Sequence, residues 1–592
     1  MKFLGSLLGI SSPKKMGKEY MKVGRNALFG QRTSQHDGLC TDKVPRPLSF
    51  LISKNGKLKH GRLSAIFIGI LTLVIGIVLS SIPWVDYIIL KQLRLWNGSL
   101  SFQYWQKPGV VRLTKVYIFN VTNSENFLQF NEKPKLQEIG PFVYKEDMEK
   151  VNIVFHNNGT VSYQHKKILN FVPEMSKDKN LKVIVPNIPL LTLSTQSKGL
   201  PRIINLGLHM FLGGMHMTPF VPVTAQQLVF GYDDPLVSIA HQFFPKARRP
   251  MSQMGLLLGR NGTLEEVSTI FTGHTDMKEF GLINRLNGLD RLPYWPNSPC
   301  NSIRASEGSF FPPRDKTGSD IVHIWDKDLC RILPLKYRGP VKKSGIKADL
   351  YTPPDSVFGR PNETSPENEC FCSDDMSTCP FNGLQNISPC QYSKYQLNCT
   401  TCNISLYFYE PAPVYLSFPH FYKADPKLLD AVHGLKPNRD VHETYFKIQP
   451  KLGVPLEGKV RVQLNLKVEH QPYIGVVSNF PDIVFPIMWV EEGIEELTPS
   501  IRRWIYLATT FSDVAVPCTS YGLILVGITI VFAVFVKAYN NVMFTHEAIE
   551  LGKRTIRRGS TLLVNGQHKL LITREQYVLL SNDNDEKSPR IE

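Results

Sequence analysis

Clustered cysteines are the residues with the clearest capacity for chemistry in this sequence. Eight of the ten fall within about a hundred consecutive positions, including the close pairs Cys370-Phe-Cys372 and Cys399-Thr-Thr-Cys402. Close pairs can hold a structural zinc ion or act as a redox-active CxxC motif, whereas an even number of clustered cysteines is typical of disulfides in an oxidising compartment. Four disulfides are therefore the main prediction. The eight residues are Cys300, Cys330, Cys370, Cys372, Cys379, Cys390, Cys399 and Cys402.

Histidine and carboxylate neighbours offer the other candidate chemistry. His274 with Asp276, and His442 with Glu443, have the residue types of general acid and base partners. Such neighbours are expected by chance in a chain of 592 residues. The sequence has no nucleophile elbow, His-Glu-x-x-His motif, P-loop or dinucleotide glycine fingerprint. We therefore predict no enzymatic activity, no cofactor and no metal.

Asn-X-Ser/Thr triplets indicate which part of the chain meets the glycosylation machinery. Eight such sites occur, and all lie between two long apolar runs. Their confinement to one part of the chain supports a lumenal or extracellular domain more strongly than any single site does. The eight candidate sites are Asn97, Asn120, Asn158, Asn261, Asn362, Asn386, Asn398 and Asn403.

The two apolar runs predict membrane spans. The first, Leu63 to Ile82, has no charged residue, and at 1.5 Å per residue it is roughly 30 Å long, the hydrocarbon thickness of a bilayer. The second extends from about Val514 to Val536 and stops at Lys537. A cleaved signal peptide is not expected, because the first run begins some 60 residues into the chain and is too long for a signal-peptide core.

Charge predicts the orientation of this hairpin. Residues 1–62 hold 13 Lys and Arg against 3 acids, so the positive-inside rule places both tails in the cytosol. Once the tails are removed, only about +5 of the net charge of +17 remains, which argues against nucleic-acid binding. The predicted division is a basic tail (1–62), a first span (63–84), a glycosylated and disulfide-bonded ectodomain (85–513), a second span (514–536) and a C-terminal tail (537–592).

Alternating apolar residues predict the elements that position these groups. Lys459 to Val468 places Val460, Val462, Leu464, Leu466 and Val468 on one face, as in a half-buried antiparallel strand. The segments 112–121 and 405–408 are similar. Asp234 can cap a helix that begins at Pro235 and continues to residue 244. We therefore expect an α+β ectodomain with a dominant antiparallel sheet or barrel.

A series of short segments follows a fixed order between the two spans. The segments are Glu138-Ile-Gly-Pro-Phe-Val-Tyr144, Phe171-Val-Pro-Glu-Met-Ser176, Leu228-Val-Phe-Gly-Tyr-Asp-Asp-Pro235, Ser309-Phe-Phe-Pro-Pro313, Asp328-Leu-Cys-Arg331, Cys370-Phe-Cys372, Pro413-Val-Tyr-Leu-Ser-Phe-Pro-His-Phe421, His442-Glu-Thr-Tyr445 with Pro450 and Gly453, and Gln463-Leu-Asn-Leu466. Each segment is weak alone, but their order is specific. With these segments the chain resembles the class B scavenger receptors, a family of membrane hairpin lipid receptors.

The resemblance implies a barrel-like ectodomain with an apical helical bundle and a lipid tunnel leading to the membrane. It also implies disulfides between Cys300 and Cys370, Cys330 and Cys390, and Cys372 and Cys379. Cys399 and Cys402 lie in an insertion that departs from the family pattern, so their mutual pairing is a hypothesis. The tunnel lining cannot be identified from one sequence, because the inward face of a strand looks the same against a core or a cavity.

The predicted apex departs from family members that carry lysines there. Residues 203–245 contain no Lys or Arg, which favours a neutral lipid such as a sterol, carotenoid or fatty acid over a polyanionic ligand. Packing is the alternative role for its methionine and aromatic residues. The candidate points of ligand access are Met210, Phe211, Met215, His216, Met217 and Phe220.

The C-terminal tail contains a candidate sorting signal. Glu575, Leu579 and Leu580 fit an acidic dileucine pattern, and a tyrosine-based pattern beginning at Tyr577 overlaps it. Together with a resemblance to the lysosomal and insect branches of the family, this predicts plasma membrane and endosomal or lysosomal residence and a clathrin adaptor partner. Lipids or lipoproteins are the expected ligands, and a homo-oligomer is an open expectation. The main functional alternative is a trafficking receptor for a lumenal hydrolase.

Overall fold

The computed structural model describes residues 60–243, 251–314, 321–361, 366–372, 379–391, 412–543 and 550. The chain divides into two compact units, one formed by Met1–Leu71 with Gly527–Glu592 and the other by Thr72–Val526. The predicted strand at 405–408, the sorting signal and the Cys399–Cys402 pair lie outside the described residues.

Helices of the described chain occur at both ends and in groups between strands. They are α1 (His60–Ser81), α2 (Trp84–Leu93), α3 (Leu100–Gln106), α4 (Ser124–Phe130), α5 (Ile188–Gln196), α6 (Arg202–Gly214), α7 (Ala225–Phe230), α8 (Pro235–Phe243), α9 (Pro426–Asp430), α10 (Arg439–His442), α11 (Pro499–Tyr506) and α12 (Ser512–Met543).

Fifteen strands of the described chain lie in the larger unit. They are β1 (Val110–Val121), β2 (Leu136–Phe155), β3 (Thr160–Phe171), β4 (Lys182–Pro186), β5 (Phe220–Thr224), β6 (Gly262–Phe271), β7 (Ile283–Leu286), β8 (Val322–Asp326), β9 (Arg331–Lys343), β10 (Ile346–Thr352), β11 (Gln385–Asn386), β12 (Val414–Ser417), β13 (Tyr445–Gln449), β14 (Val454–Val468) and β15 (Ile483–Leu497).

Two helical runs are long and apolar enough to cross a membrane. They are α1 and the continuous run from Pro499 to Asn540, in which a π-helical turn (Leu507–Phe511) joins α11 to α12. Within one unit, Gly69 lies so close to Val531 that an added Cβ would meet that side chain at 2.8 Å. Within the other, a Cβ on Gly76 would lie 2.7 Å from Ile524. The two glycines therefore permit close helix packing.

One large antiparallel sheet dominates the fold, in the order β7-β6-β3-β2-β1-β15-β14-β13-β10-β9-β8. The edge strands β7 and β8 do not pair directly; only isolated bridges from Ser306 reach Leu282 and Ile324 beside them. The expectation of a β-barrel is corrected in this respect, since the sheet is not closed. The edge strands β7 and β8 have four and five residues.

Local sequence patterns account for several of these elements. The predicted strands at 459–468 and 112–121 fall within β14 and β1. The predicted helix at Pro235 is α8, and Asp234 caps it by accepting hydrogen bonds from the N–H groups of Leu236 and Val237 at 2.9 and 3.1 Å. Antiparallel pairing places Val462 opposite Val490 on β15. The mixed helix and sheet class expected from the sequence is therefore confirmed.

Candidate functional site

A cavity of about 420 Å³ lies against the central strands β14 and β15. Its volume falls within the range of small-molecule sites, roughly 300–1,000 Å³. These two strands supply an apolar face of the wall. The lining residues on this face are Val460, Val462, Leu464, Met488, Val490 and Ile494.

Strand β14 shows how the cavity differs from the core. The predicted alternation is present, but Val460, Val462 and Leu464 are half-buried and face the cavity. Leu466 and Val468, on the same face, are each 1% exposed and belong to the apolar core. The strand therefore passes from a cavity wall into a core without a change in sequence pattern.

Another part of the cavity wall is charged and comes largely from the turn between β8 and β9. Arg260 bridges two carboxylates, at 2.7 Å from Asp328 and 2.9 Å from Glu492. Burial, reinforced by the neighbouring carboxylate of Asp328, raises the pKa of Asp326 to about 7. Burial also lowers the pKa of the Lys327 ammonium. The cavity is therefore amphipathic, with one apolar face and one charged face.

Glu146 organises a second set of charges beside the cavity. Arg112 Nε lies 3.0 Å from one of its carboxylate oxygens, and Lys167 pairs with the other. Burial alone would raise the pKa of Glu146, but these two cations outweigh burial and lower it to about 2. Arg112 and Lys167 thus share one protein carboxylate as their ion-pair partner.

A smaller apolar cavity of about 60 Å³ lies between α3, α11 and the sheet. It shares Arg112, Gly308, Ser309 and Ile494 with the larger cavity. Trp504 and Ile505 of α11 also line it, and α11 leads into the second candidate span. The two cavities are therefore neighbours, and the smaller one adjoins the helical run that contains the second candidate span.

A fully buried cluster supports the wall between the cavities. Lys150 is 0% exposed, and its Nζ lies 3.3 Å from Glu307 and donates hydrogen bonds to Ser309 Oγ and the Trp105 carbonyl at 2.9 and 3.1 Å. The Trp105 indole N–H donates to Glu307 at 3.1 Å. These bonds hold Ser309 and Trp105, which line the smaller cavity, in place.

The sequence profile of the CD36 family matches residues 67–538, most of the chain. The chain belongs to the CD36 family. Scavenger receptor class B member 1 from Bos taurus is 33% identical over 432 residues, which cover 72% of this chain and 79% of that protein. Lysosome membrane protein 2 from Rattus norvegicus is 32% identical over 418 residues, covering 69% and 80%. The resemblance to class B scavenger receptors is therefore confirmed.

Distant landmark segments of this CD36-family chain meet in one buried network. The Glu138 carboxylate accepts a hydrogen bond from Trp489 Nε1 at 2.7 Å and also bonds His420 Nε2. The rings of His420 and His442 stack with their centroids 4.4 Å apart. Burial would raise the pKa of Glu138, but the hydrogen bonds with His420 and Trp489 outweigh burial and lower it.

Both stacked histidines accept hydrogen bonds from backbone amides. His420 Nδ1 accepts from the N–H of Lys436 at 2.9 Å, and His442 Nδ1 accepts from the N–H of Asn438 at 3.0 Å. A ring nitrogen that accepts a hydrogen bond carries no proton, so the contact from Asn438 favours a neutral imidazole at His442. Burial lowers the pKa of His442 to about 4.

We expect the His442→Gln variant to flatten the pH dependence of stability. Because the folded state holds His442 at a pKa of about 4 and its ordinary pKa is 6.5, the unfolded chain takes up the proton first. The contribution of neutral His442 is full above pH 6.5 and is lost as the pH falls toward 4, by about 3 kcal/mol at most. Unfolding free energies between pH 7.5 and 4.5 test this. The exposed His433→Gln variant is the control, and equal pH slopes in wild type and His442→Gln would contradict it.

The predicted access residues do not form one surface. Met210 and Phe211 are 70% and 44% exposed on α6, and His216 is exposed beyond it. Met215 is half-buried, and Met217 packs against the core. Phe220 is only 7% exposed and contacts Phe127, Phe480 and Phe485, so it is a core residue rather than an access point.

Met210 and Phe211 belong to an exposed apolar stripe on α6 that the sequence analysis missed. Ile203 and Leu206 are 79% and 56% exposed and precede Met210 and Phe211 at helical spacing. The positions i, i+3, i+7 and i+8 would have revealed this stripe in the sequence. The missed charged wall also had a signal, because the charged triplet Asp326-Lys327-Asp328 overlaps the landmark Asp328-Leu-Cys-Arg331.

Six cysteines are paired in the described chain. Disulfides join Cys300 to Cys370, Cys330 to Cys390 and Cys372 to Cys379. The zinc alternative for Cys370 and Cys372 is therefore not what the structure contains.

The candidate glycosylation sites differ in accessibility. Asn97, Asn158 and Asn261 are exposed, and Asn120 and Asn386 are half-buried in β1 and β11. Asn120 Oδ1 accepts a hydrogen bond from the N–H of Ile184 at 2.8 Å. Asn362, Asn398 and Asn403 lie outside the described residues.

The candidate acid and base pairs have structural partners. Asp276 Oδ1 accepts a hydrogen bond from the N–H of Lys278 at 2.8 Å. Glu443 pairs with Lys423 and Arg439, while its neighbour His442 faces the stacked network. Neither pair forms a His–carboxylate bond among the residues described.

Proposed function

We propose that this protein is a lipid receptor that takes a neutral lipid, namely a sterol, carotenoid or fatty acid, into its ectodomain and passes it to the membrane. The observation that carries this proposal is the amphipathic cavity of about 420 Å³ beside a smaller cavity that is lined by α11. Moving hydrocarbon through water costs about 25 cal/mol per Å² of apolar surface, and an apolar route avoids that cost. The relatives named scavenger receptors support this assignment.

The proposed route begins at the apolar stripe of α6, continues through the two cavities and ends beside α11. Displacement of side chains at their shared wall, Arg112, Gly308, Ser309 and Ile494, would join the cavities. We propose that the two spans hold the ectodomain (85–513) on the lumenal or extracellular side, with both tails cytosolic. No part of this function requires catalysis.

Photo-crosslinking of the full chain in nanodiscs tests the proposal. Sterol and fatty-acid probes applied at pH 7 and pH 5 should give saturable labelling of peptides from β14 and β15. Labelling confined to α1 and α12, or none at either pH, would overturn it.

A trafficking receptor for a lumenal hydrolase is the second candidate, favoured by the exposed stripe on α6 and by the relative named lysosome membrane protein 2. Co-purification of a hydrolase that depends on pH would support that alternative.

We propose further that Glu575, Tyr577, Leu579 and Leu580 direct the protein to endosomes and lysosomes through a clathrin adaptor. The Leu579→Ala/Leu580→Ala variant should therefore accumulate at the cell surface, measured by surface biotinylation. The matched control is Leu562→Ala/Leu563→Ala, a dileucine of the same tail with Arg558 in place of the upstream acid. An unchanged distribution in the first variant would remove the sorting proposal.

A further inference from the structure

The cations on the wall of the larger cavity are not equivalent. Arg112 and Lys167 pair with Glu146, and Arg260 pairs with Asp328 and Glu492. Lys327 lies on the same wall, yet its ammonium has no carboxylate within 4.0 Å and no hydrogen-bond acceptor among the residues that the structure describes. It is therefore a cation of the cavity wall that makes no ion pair or hydrogen bond with the described residues.

A neighbouring donor is also without an acceptor. Trp325 lines the cavity, and its buried indole N–H makes no hydrogen bond within the described part of the chain. Buried donors are normally paired, because an unmade hydrogen bond costs about 1–3 kcal/mol. Trp325 and Lys327, two positions apart in the chain, thus offer donors where an acceptor is missing.

The same cavity also has an apolar wall, which strands β14 and β15 supply. Val460, Val462, Leu464 and Val490 line it without a polar group. A molecule that satisfies both parts of the wall has an anionic head and a hydrocarbon chain. The cavity volume lies near the lower end of the range for ligand sites, which favours a single chain over a bulky multi-chain lipid.

We propose that Lys327 anchors the head group of the ligand, holding the carboxylate or phosphate of a single-chain amphiphile whose chain lies along β14 and β15. This inference rests on the proposed function and narrows it, because only the fatty acid among the three proposed lipids can present an anion. Access across residues 203–214 of α6, which lack Lys and Arg, remains compatible with the neutral, protonated acid. The head group is then held by charge inside the cavity.

The test compares lipids that have the same hydrocarbon chain and different head groups. Full-length protein in nanodiscs is titrated with oleic acid, oleoyl lysophosphatidic acid and oleyl alcohol in competition with a fluorescent fatty acid. Wild type should bind the anionic lipids more tightly than the alcohol. Lys327→Met, which keeps the side-chain stem, should weaken binding of the anionic lipids about tenfold or more and leave alcohol binding unchanged, as expected for loss of one charge-assisted hydrogen bond.

Two further variants act as controls. Lys327→Arg keeps the cation and should keep the preference, and Lys336→Met removes an exposed lysine of β9 and should change nothing. Because Lys327 has no partner, its removal should leave the thermal unfolding midpoint near that of wild type. If oleic acid alone shows the preference, the head is a carboxylate; if lysophosphatidic acid alone shows it, the head is a phosphate.

Failure of the inference differs from failure of the function. Equal affinity for acid and alcohol in wild type, or an unchanged preference in Lys327→Met, would overturn the role of Lys327 while leaving a lipid site. Equal weakening of all three lipids by Lys327→Met would also overturn it. Absence of binding by any of the three lipids to wild type would overturn the proposed function itself.

Discussion

Tryptophan in place of Val462 is expected to reduce lipid affinity about 100-fold while leaving the protein folded. Val462 lies on the central strand β14, faces the cavity and pairs across the sheet with Val490, which lines the same wall. An indole at this position would occupy the space proposed for the hydrocarbon chain. Overpacking of a filled core costs about 1–3 kcal/mol, but here the added ring has a cavity to enter.

Binding of a fluorescent fatty acid to full-length protein in nanodiscs measures this effect, and thermal unfolding reports on the fold. Val154→Trp is the matched control, because Val154 is 53% exposed on β2 and is not among the cavity-lining residues. Normal lipid binding by Val462→Trp at an unchanged unfolding midpoint would show that the cavity does not hold the lipid. Such a result would move the function to the alternative, a receptor for a lumenal protein.

Lys150→Met is expected to lower the free energy of unfolding by about 3–5 kcal/mol. Lys150 is fully buried between the rings of Trp105 and Tyr163, 4.9 and 5.4 Å from their centroids, and pairs with Glu307. Burial would raise the pKa of Glu307, but Lys150 and His165 outweigh burial and keep it well below its ordinary value. Removal of the lysine leaves a buried carboxylate without its main cation.

A double-mutant cycle separates the interaction energy of Lys150 and Glu307 from the energy lost through packing. Glu307→Gln alone should also destabilise the protein, because it leaves Lys150 buried without a counter-charge. Lys150→Met/Glu307→Gln should be more stable than the sum of the two single losses, measured by denaturant titration of each variant. Additive losses would show that the two charges do not interact, and the cluster would then not be an ion pair that supports the wall between the cavities.

The two predictions concern different parts of one mechanism. Val462 tests whether the larger cavity holds hydrocarbon, and Lys150 tests whether the wall toward the smaller cavity is held by charge. Ser309 lines both cavities and accepts a hydrogen bond from Lys150. A weakened cluster should therefore also alter lipid transfer in variants that still fold.

Local patterns in the sequence were sufficient to predict several features of the structure. The two spans could be identified because a membrane requires about 20 consecutive apolar residues, which is a property of the chain alone. Strands β1 and β14 could be identified because side chains alternate along any strand, and α8 because Asp234 and Pro235 satisfy the first turn locally. Ordered landmark segments were sufficient for the family.

Only the tertiary structure decided which of these residues form a site. Val462 and Leu466 occupy equivalent positions in the alternation of β14, yet one faces a cavity and the other the core. Phe220 was grouped with Met210 by sequence, but it packs among three distant phenylalanines. Lys167 and Lys327 both line the cavity, but Lys167 pairs with Glu146, whereas Lys327 has no carboxylate of the described residues within 4.0 Å. Each outcome depends on what lies across the space from a side chain, and that is determined by contacts between residues hundreds of positions apart rather than by local spacing.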